Sequence, residues 1–154
     1  MATFLKHISI DNRKSRFNYE YMDIYTAGIK LTGTEIKSIM TGEVSIDDAF
    51  CIVTENGIII RNMYIKEYEF GNRENHEPKG DRILLLNKSE LRSLRVSLIN
   101  KGLTVIPIKL FRNSRGLIKL QVALCRGKKT HDKKESIKKR DIEREIKRDF
   151  DINI

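Results

Sequence analysis

The chain has 154 residues, 40% of them hydrophobic, with nine Gly and two Pro, which suits one globular domain with a sizeable core and leaves little length for a second. Thirty Lys and Arg oppose 21 Asp and Glu for a net charge of +9, the balance of a protein that meets a polyanion. No apolar run approaches the roughly 20 residues that cross a bilayer, and Phe4-Leu5-Lys6-His7 is charged too early for a secretory signal, so a soluble cytoplasmic protein with no membrane partner is expected.

From the amino terminus, Asn12-Arg13-Lys14-Ser15-Arg16 sets three cations beside Phe17 and Tyr19, a mixture that grips a phosphate backbone and stacks unpaired bases. Tyr19 to Tyr25 then alternates as a strand, with Tyr19, Tyr21, Asp23 and Tyr25 on one face, and Ile29 to Leu31 resumes it after Ala27-Gly28. A short helix follows, capped by Thr34, turning Ile36, Ile39 and Met40 inward and stopped by Gly42. Asp48 to Val53 and Ile58 to Ile65 flank Glu55-Asn56-Gly57, a hairpin signal because Asn and Gly tolerate positive φ. Gly71 to Gly80 is almost devoid of apolar residues and reads as a long connecting loop.

Asn87 with Glu90 forms a capping-box pattern for a second helix, whose stripe is Leu91, Leu94 and Leu98 and whose stop is Gly102. Leu103 to Phe111 and Leu117 to Leu124 then make a second hairpin around Asn113-Ser114-Arg115-Gly116. Two hairpins, isolated strands and embedded helices predict a mainly β fold over residues 1–126, a small barrel with added helices. Residues 127–154 form a basic tail, expected to be disordered when free and to order on its partner. Arg126 to Arg140 alone carries eight Lys or Arg against two acids. Asp132 with Glu135 can open a helix there, and Ile142, Ile146 and Phe150 recur at its spacing.

Catalytic constellations are missing from the pattern. His131-Asp132 offers a base and an orienting carboxylate, but no nucleophile motif, phosphate loop or metalloprotease motif accompanies it. Asp47 and Asp48 are adjacent, so in a strand they would point to opposite faces. Cys51 and Cys125 lie in apolar runs and read as core thiols, and His7, His76 and His131 are too scattered for zinc. No metal, cofactor or enzymatic activity is expected. Composition and spacing give an RNA-binding β-barrel with a basic tail. They leave open a general ribosome-associated or translation-factor-like protein, and an RNA-processing enzyme using His131.

Several blocks carry a resemblance: Asn12-Arg13-Lys14-Ser15-Arg16-Phe17, Ala27-Gly28-Ile29, Gly33-Thr34-Glu35-Ile36-Lys37-Ser38, Gly71-Asn72-Arg73 with Asn75-His76, Leu84-Leu85-Leu86-Asn87, Lys101 to Pro107, and Arg126-Gly127-Lys128-Lys129 with His131-Asp132-Lys133. In this order they resemble the SsrA-binding protein family, small protein B, of bacterial trans-translation. The resemblance implies an OB-fold-like, closed or nearly closed β-barrel that binds the tRNA-like domain of tmRNA (SsrA RNA) and stands in for its anticodon arm. It implies tmRNA contacts at Asn12, Arg13, Arg16, Phe17, Gly28, Leu85 and Asn87, with Phe17 stacking on a base. A ribosome-binding tail is implied at Gly127, Lys128, Lys129, His131, Asp132, Lys133, Lys134, Lys138, Lys139 and Arg140, becoming helical in the mRNA channel. The implied partners are tmRNA, the 70S ribosome with its rRNA near the decoding centre and mRNA channel, and elongation factor Tu with alanyl-tmRNA. Two positions differ from the family pattern: Thr26 stands where Glu is usual, and Lys134 where Arg is.

Overall fold

Alternating apolar residues draw the strands together in the structure, a computed structural model that describes residues 4–71, 74–128 and Arg144. In chain order the elements are β1 (Ser9–Asp11), α1 (Ser15–Asn18), β2 (Tyr19–Ile29), α2 (Gly33–Met40), β3 (Val44–Ser45), β4 (Phe50–Thr54), β5 (Gly57–Arg61), β6 (Tyr64–Ile65), β7 (Arg82–Leu85), α3 (Lys88–Ser97), β8 (Leu103–Arg112) and β9 (Ile118–Gly127). The main sheet runs β1-β8-β4-β5-β7-β2-β9, and β9 pairs back onto β8, so six strands form a ring with β1 added along β8. Every pairing is antiparallel. The short strands β3 and β6 make a separate ladder. The expected mainly β architecture with embedded helices is therefore the observed one.

Period-2 alternation fills the ring: Ile58 and Ile60 from β5, Leu84 from β7, and Leu120, Val122 and Leu124 from β9 point into one core. Leu94 of α3 and Ile39 of α2 join it, both fully buried. Two departures from regular register shape the sheet. β2 shifts between Tyr21 and Asp23, and β8 between Pro107 and Lys109. The first places Tyr21 opposite Cys125 but Tyr25 opposite Val122, positions an odd number apart in β9. Tyr21 and Tyr25 thus face opposite sides of the sheet, contrary to the simple alternation expected of Tyr19 to Tyr25, because a bulge inserts one unpaired residue and reverses the faces beyond it.

Local chemistry differs from expectation at several ends. α2 is capped by Thr32, not Thr34: the Thr32 hydroxyl accepts from the Glu35 amide while the Glu35 carboxylate accepts from the Thr32 amide. Thr34 bonds His76 Nδ1 instead, at 2.9 Å, and Ile36 is exposed while Ser38 and Ile39 are buried. The β4–β5 hairpin forms as expected, but its two loop residues are Glu55 and Asn56, neither with positive φ; Gly57 already pairs with Thr54. Asn87 caps α3 in the expected manner, whereas Gly102, with φ +87°, lies in the turn into β8 beyond the helix end. Around Asn113, whose Oδ1 accepts from the amides of Arg115 and Leu117, the β8–β9 turn matches the reading.

Residues 74–80 are pinned, not simply a connection. Asn75 brackets the backbone of Tyr68, accepting from its amide at 3.0 Å and donating to its carbonyl at 2.7 Å. His76 Nε2 meets the carbonyl of Ile65 at 2.9 Å. Cys51 and Cys125 are free, buried thiols. Burial pushes the thiol of Cys125 up to about 12 and raises that of Cys51 further in the same direction. Since only the thiolate attacks, neither should react with iodoacetamide in the native protein at about pH 8, and both should label on unfolding; labelling of the folded chain within minutes would contradict this burial.

Candidate nucleic-acid interface

The residues that the resemblance assigns to tmRNA fall into two groups. Gly28, Leu85 and Asn87 gather at the carboxyl end of β2. Gly28 is the direct register partner of Leu85 on one side and of Lys119 on the other. A Cβ added at Gly28 would come within 3.3 Å of Leu85 Cβ and 3.7 Å of Lys119 Nζ, so glycine here lets another backbone approach a surface already closely packed. Leu85 and Ile83 are half exposed on the same face of β7, and Thr26, opposite Gln121, continues that face along β2. Asn87 stands just beyond β7, its Oδ1 occupied by the Glu90 amide and the Ser89 hydroxyl, both at 2.8 Å. What Asn87 can offer a ligand is therefore its Nδ2 donor.

Lys119 and Ile83 were not marked in the sequence. Register alone brings them here, and no local pattern signals a partner about 90 residues away across a ladder. Because Lys119 supplies a cation on this face, Lys119→Ala should flatten the slope of log affinity for RNA against log salt by about 0.7–0.9, the share of one phosphate contact. A salt titration with an unchanged slope would remove Lys119 from the interface.

The second group, Asn12, Arg13, Arg16 and Phe17, lies at the opposite end of β2. Between Tyr19 and Ile29 the strand runs 11 residues, a span of roughly 30 Å at the ordinary strand rise. Arg13 and Arg16 are exposed and Phe17 is half-buried. Asn12 is 6% exposed, and its Nδ2 donates to the carbonyls of Pro107, at 2.9 Å, and Ile46, at 3.4 Å. Its side chain therefore holds the bulged part of β8 to the β3–β4 connection. Ser15 donates to the Asn12 carbonyl at 2.7 Å and takes the hydroxyl of Tyr21. Burial raises the pKa of that phenol above its usual value, which keeps it a donor.

The start of the basic tail joins this second group. Gly127 pairs with Tyr19, the Lys128 amide donates to the Asn18 carbonyl at 2.8 Å, and Lys128 Nζ donates to the Arg16 carbonyl at 2.9 Å. Strand β9 thus continues through Gly127, one residue past the boundary read from composition. Lys129, His131, Asp132, Lys133, Lys134, Lys138, Lys139 and Arg140 lie outside the described residues.

Acceptors and aromatics lie beside these cations. A cleft of about 420 Å³ opens between α1, the 46–49 turn and the adjoining parts of β4 and β8, with Asn12, Tyr19, Asp47, Asp48 and Phe50 in its lining. Asp47 and Asp48 sit in a turn, so both line this cleft instead of opposing each other across a strand. Among the described residues no group of His, Cys, Asp and Glu is arranged to hold a metal ion, and no helix is long and apolar enough to cross a membrane.

Fold and surfaces define a small antiparallel β-ring protein with two separate faces suited to nucleic acid: one aliphatic beside a lysine, the other cationic around a cleft. The chain belongs to the SmpB protein family, whose family model matches residues 9–152. It is 51% identical over 144 residues to an SsrA-binding protein of Flavobacterium johnsoniae, covering 94% of this chain and 95% of that protein. An SsrA-binding protein of Allorhizobium ampelinum is 46% identical over 141 residues, covering 92% and 89%. A solved chain described as "tmRNA-SmpB: a journey to the center of the bacterial ribosome" superposes with a TM-score of 0.68 at 40% identity, covering 84% of this chain and 94% of that one.

Proposed function

We propose that this protein is an RNA-binding adaptor of trans-translation that binds tmRNA, with Gly28, Leu85 and Asn87 and, at the other end of β2, Asn12, Arg13, Arg16 and Phe17 as its contacts, and carries it to stalled ribosomes. The observation that carries the reading is the match to a chain of the tmRNA–SmpB system over most of both lengths, at an identity far above that of a shared fold alone. The geometry supports it chemically. An aliphatic strip with a lysine and an amide donor beside it suits a folded RNA approached by its backbone, and the basic tail that begins at Gly127 and Lys128 suits a second RNA surface. On this reading the protein works by binding and positioning in the cytoplasm, with no covalent step of its own, and the tail residues from Lys129 to Arg140 meet rRNA in the mRNA channel. Elongation factor Tu with alanyl-tmRNA is its proposed companion in delivery.

Sequencing the RNA that co-purifies with the tagged full-length chain from a bacterial lysate tests this directly. One dominant tmRNA is the expected result. Bulk rRNA without tmRNA would favour a general ribosome-associated protein instead.

A further inference from the structure

We propose that the outward side of the carboxyl-terminal half of α3, with the turn after it, is a docking surface, and that its occupant is this chain's own segment Asp149 to Ile154, which lies outside the described residues. The heading of the helix is fixed from three directions. Leu91, Leu94 and Leu98 pack on the core. Arg95 Nε donates to the Thr54 carbonyl at 3.0 Å on one flank, and Ser93 receives the Tyr25 hydroxyl at 3.4 Å on the other. At the helical repeat, Arg92, Val96 and Ile99 then fall opposite Leu94. Val96 is 62% exposed and Ile99 80%. The Ile99 amide donates to the Val96 carbonyl at 3.3 Å, so these two apolar side chains stand one turn apart. Exposed Arg92 precedes them by a turn, and exposed Lys101 follows. Among the described residues neither of these cations is in an ion pair.

Two exposed β-branched residues set between two cations select the chemistry of the occupant. A phosphate backbone would use the cations and leave Val96 and Ile99 in water. A second copy of the same face would bring Arg92 and Lys101 against their own kind. A segment both acidic and apolar satisfies both halves. Asp149-Phe150-Asp151-Ile152-Asn153-Ile154 has two acids and no base, and its Phe150, Ile152 and Ile154 alternate, the pattern of an extended piece with one apolar side. It is also unsuited to the polyanion that the run from Arg126 to Arg140 fits, because Asp149 and Asp151 repel phosphate. The chain is long enough to close. Leu103, just past Ile99, pairs with Arg126 near the end of β9, so Ile99 and Lys128 are at most about 30 Å apart by way of that ladder. Residues 129–148 lie between Lys128 and Asp149, and they span roughly 30 Å even as a helix and about twice that when extended. A tether of this length supplies an effective concentration of about a millimolar. A contact too weak to hold a free peptide is therefore still populated within the chain.

The test uses the pure full-length chain without RNA, with benzoylphenylalanine in place of Phe150 and cross-links mapped by mass spectrometry. The otherwise unchanged chain should cross-link within itself, chiefly to residues 92–101. R92E/K101E should cut that yield by at least about fivefold, since two exposed attractions become repulsions. Adding D149K/D151K to R92E/K101E should restore it, which a merely damaged helix would not allow. V96S/I99S should lower the yield with every charge unchanged. All four substituted positions of the docking surface are exposed, and thermal melting checks that the fold is kept. A yield unchanged in R92E/K101E, cross-links scattered over the ring, or cross-links joining two chains would each overturn the proposal. So would the absence of any cross-link to this surface, which would leave it to a different protein. Because no RNA is present, the result stands or falls apart from the function proposed above.

Discussion

Replacing Arg82 with methionine is expected to cost about 3–5 kcal/mol of folding stability, the range for removing one partner of a buried ion pair. Arg82 and Glu35 are 4% and 5% exposed, and Arg82 Nε donates to the Glu35 carboxylate. The guanidinium also donates to the Met63 carbonyl and, at 3.1 Å each, to those of Glu77 and Pro78. One side chain therefore joins α2, the β5–β6 connection and the segment before β7. Methionine fills much of the volume but takes the Arg82 donor from the Met63 carbonyl and from Oε2 of the buried Glu35 carboxylate, while the Glu77 and Pro78 carbonyls keep the amides of Gly80 and Ile65. The double variant Glu35→Gln/Arg82→Met should recover part of the loss, because no unpaired charge then remains and Gln can still accept from the Thr32 amide. Urea unfolding measures both. A single-variant loss below about 1 kcal/mol would mean that this pair is solvated, as surface pairs are.

Cutting the chain after Lys128 is expected to abolish rescue of stalled ribosomes while leaving tmRNA affinity within about threefold, since the phosphates that the tail neutralises would be those of the ribosome. The position of the cut follows from the structure. Cys125 is fully buried, Arg126 pairs with Leu103, Gly127 pairs with Tyr19, and Lys128 closes onto Asn18. An earlier cut would strip paired residues from β9 and confound removal of the tail with damage to the fold. Filter binding of tmRNA and tagging of a nonstop reporter read the two halves separately. A tmRNA affinity that fell by orders of magnitude would show that tail and ring share one partner.

The two faces were legible in the sequence to unequal degrees. Asn12 to Phe17 declared itself by composition, because cations next to aromatics are informative without any tertiary context. Gly28, Leu85 and Asn87 came from the family resemblance, and only the register sets Gly28 beside Leu85. Lys119 carried no local signal at all. The Glu35–Arg82 pair was hidden for a related reason: each residue looks like an ordinary surface charge, and nothing local reveals that partners 47 positions apart are buried against one another. Hairpins and capping boxes, being short-range, were readable as elements. Their details moved by a residue or two wherever a tertiary partner intervened, as when His76 claimed the Thr34 hydroxyl and left Thr32 to cap α2. The faces of Tyr21 and Tyr25 were misread because a bulge is a property of two strands, and periodicity sees only one.

That bulge makes β2 a gauge. One unbroken strand reaches from the cationic cleft to the aliphatic face, and the distance between them is written in its count of residues, not in the strength of any contact. The extra residue near Met22 sets the angular phase: it turns the Tyr21 side toward α1 while Tyr25 keeps to the core. Deleting that residue would shorten the gauge by one step and rotate one face against the other by half a turn, with every side chain of both faces still present. The two surfaces are thereby held at a fixed separation and heading, which a protein needs when it must align two large bodies that never touch the same residue.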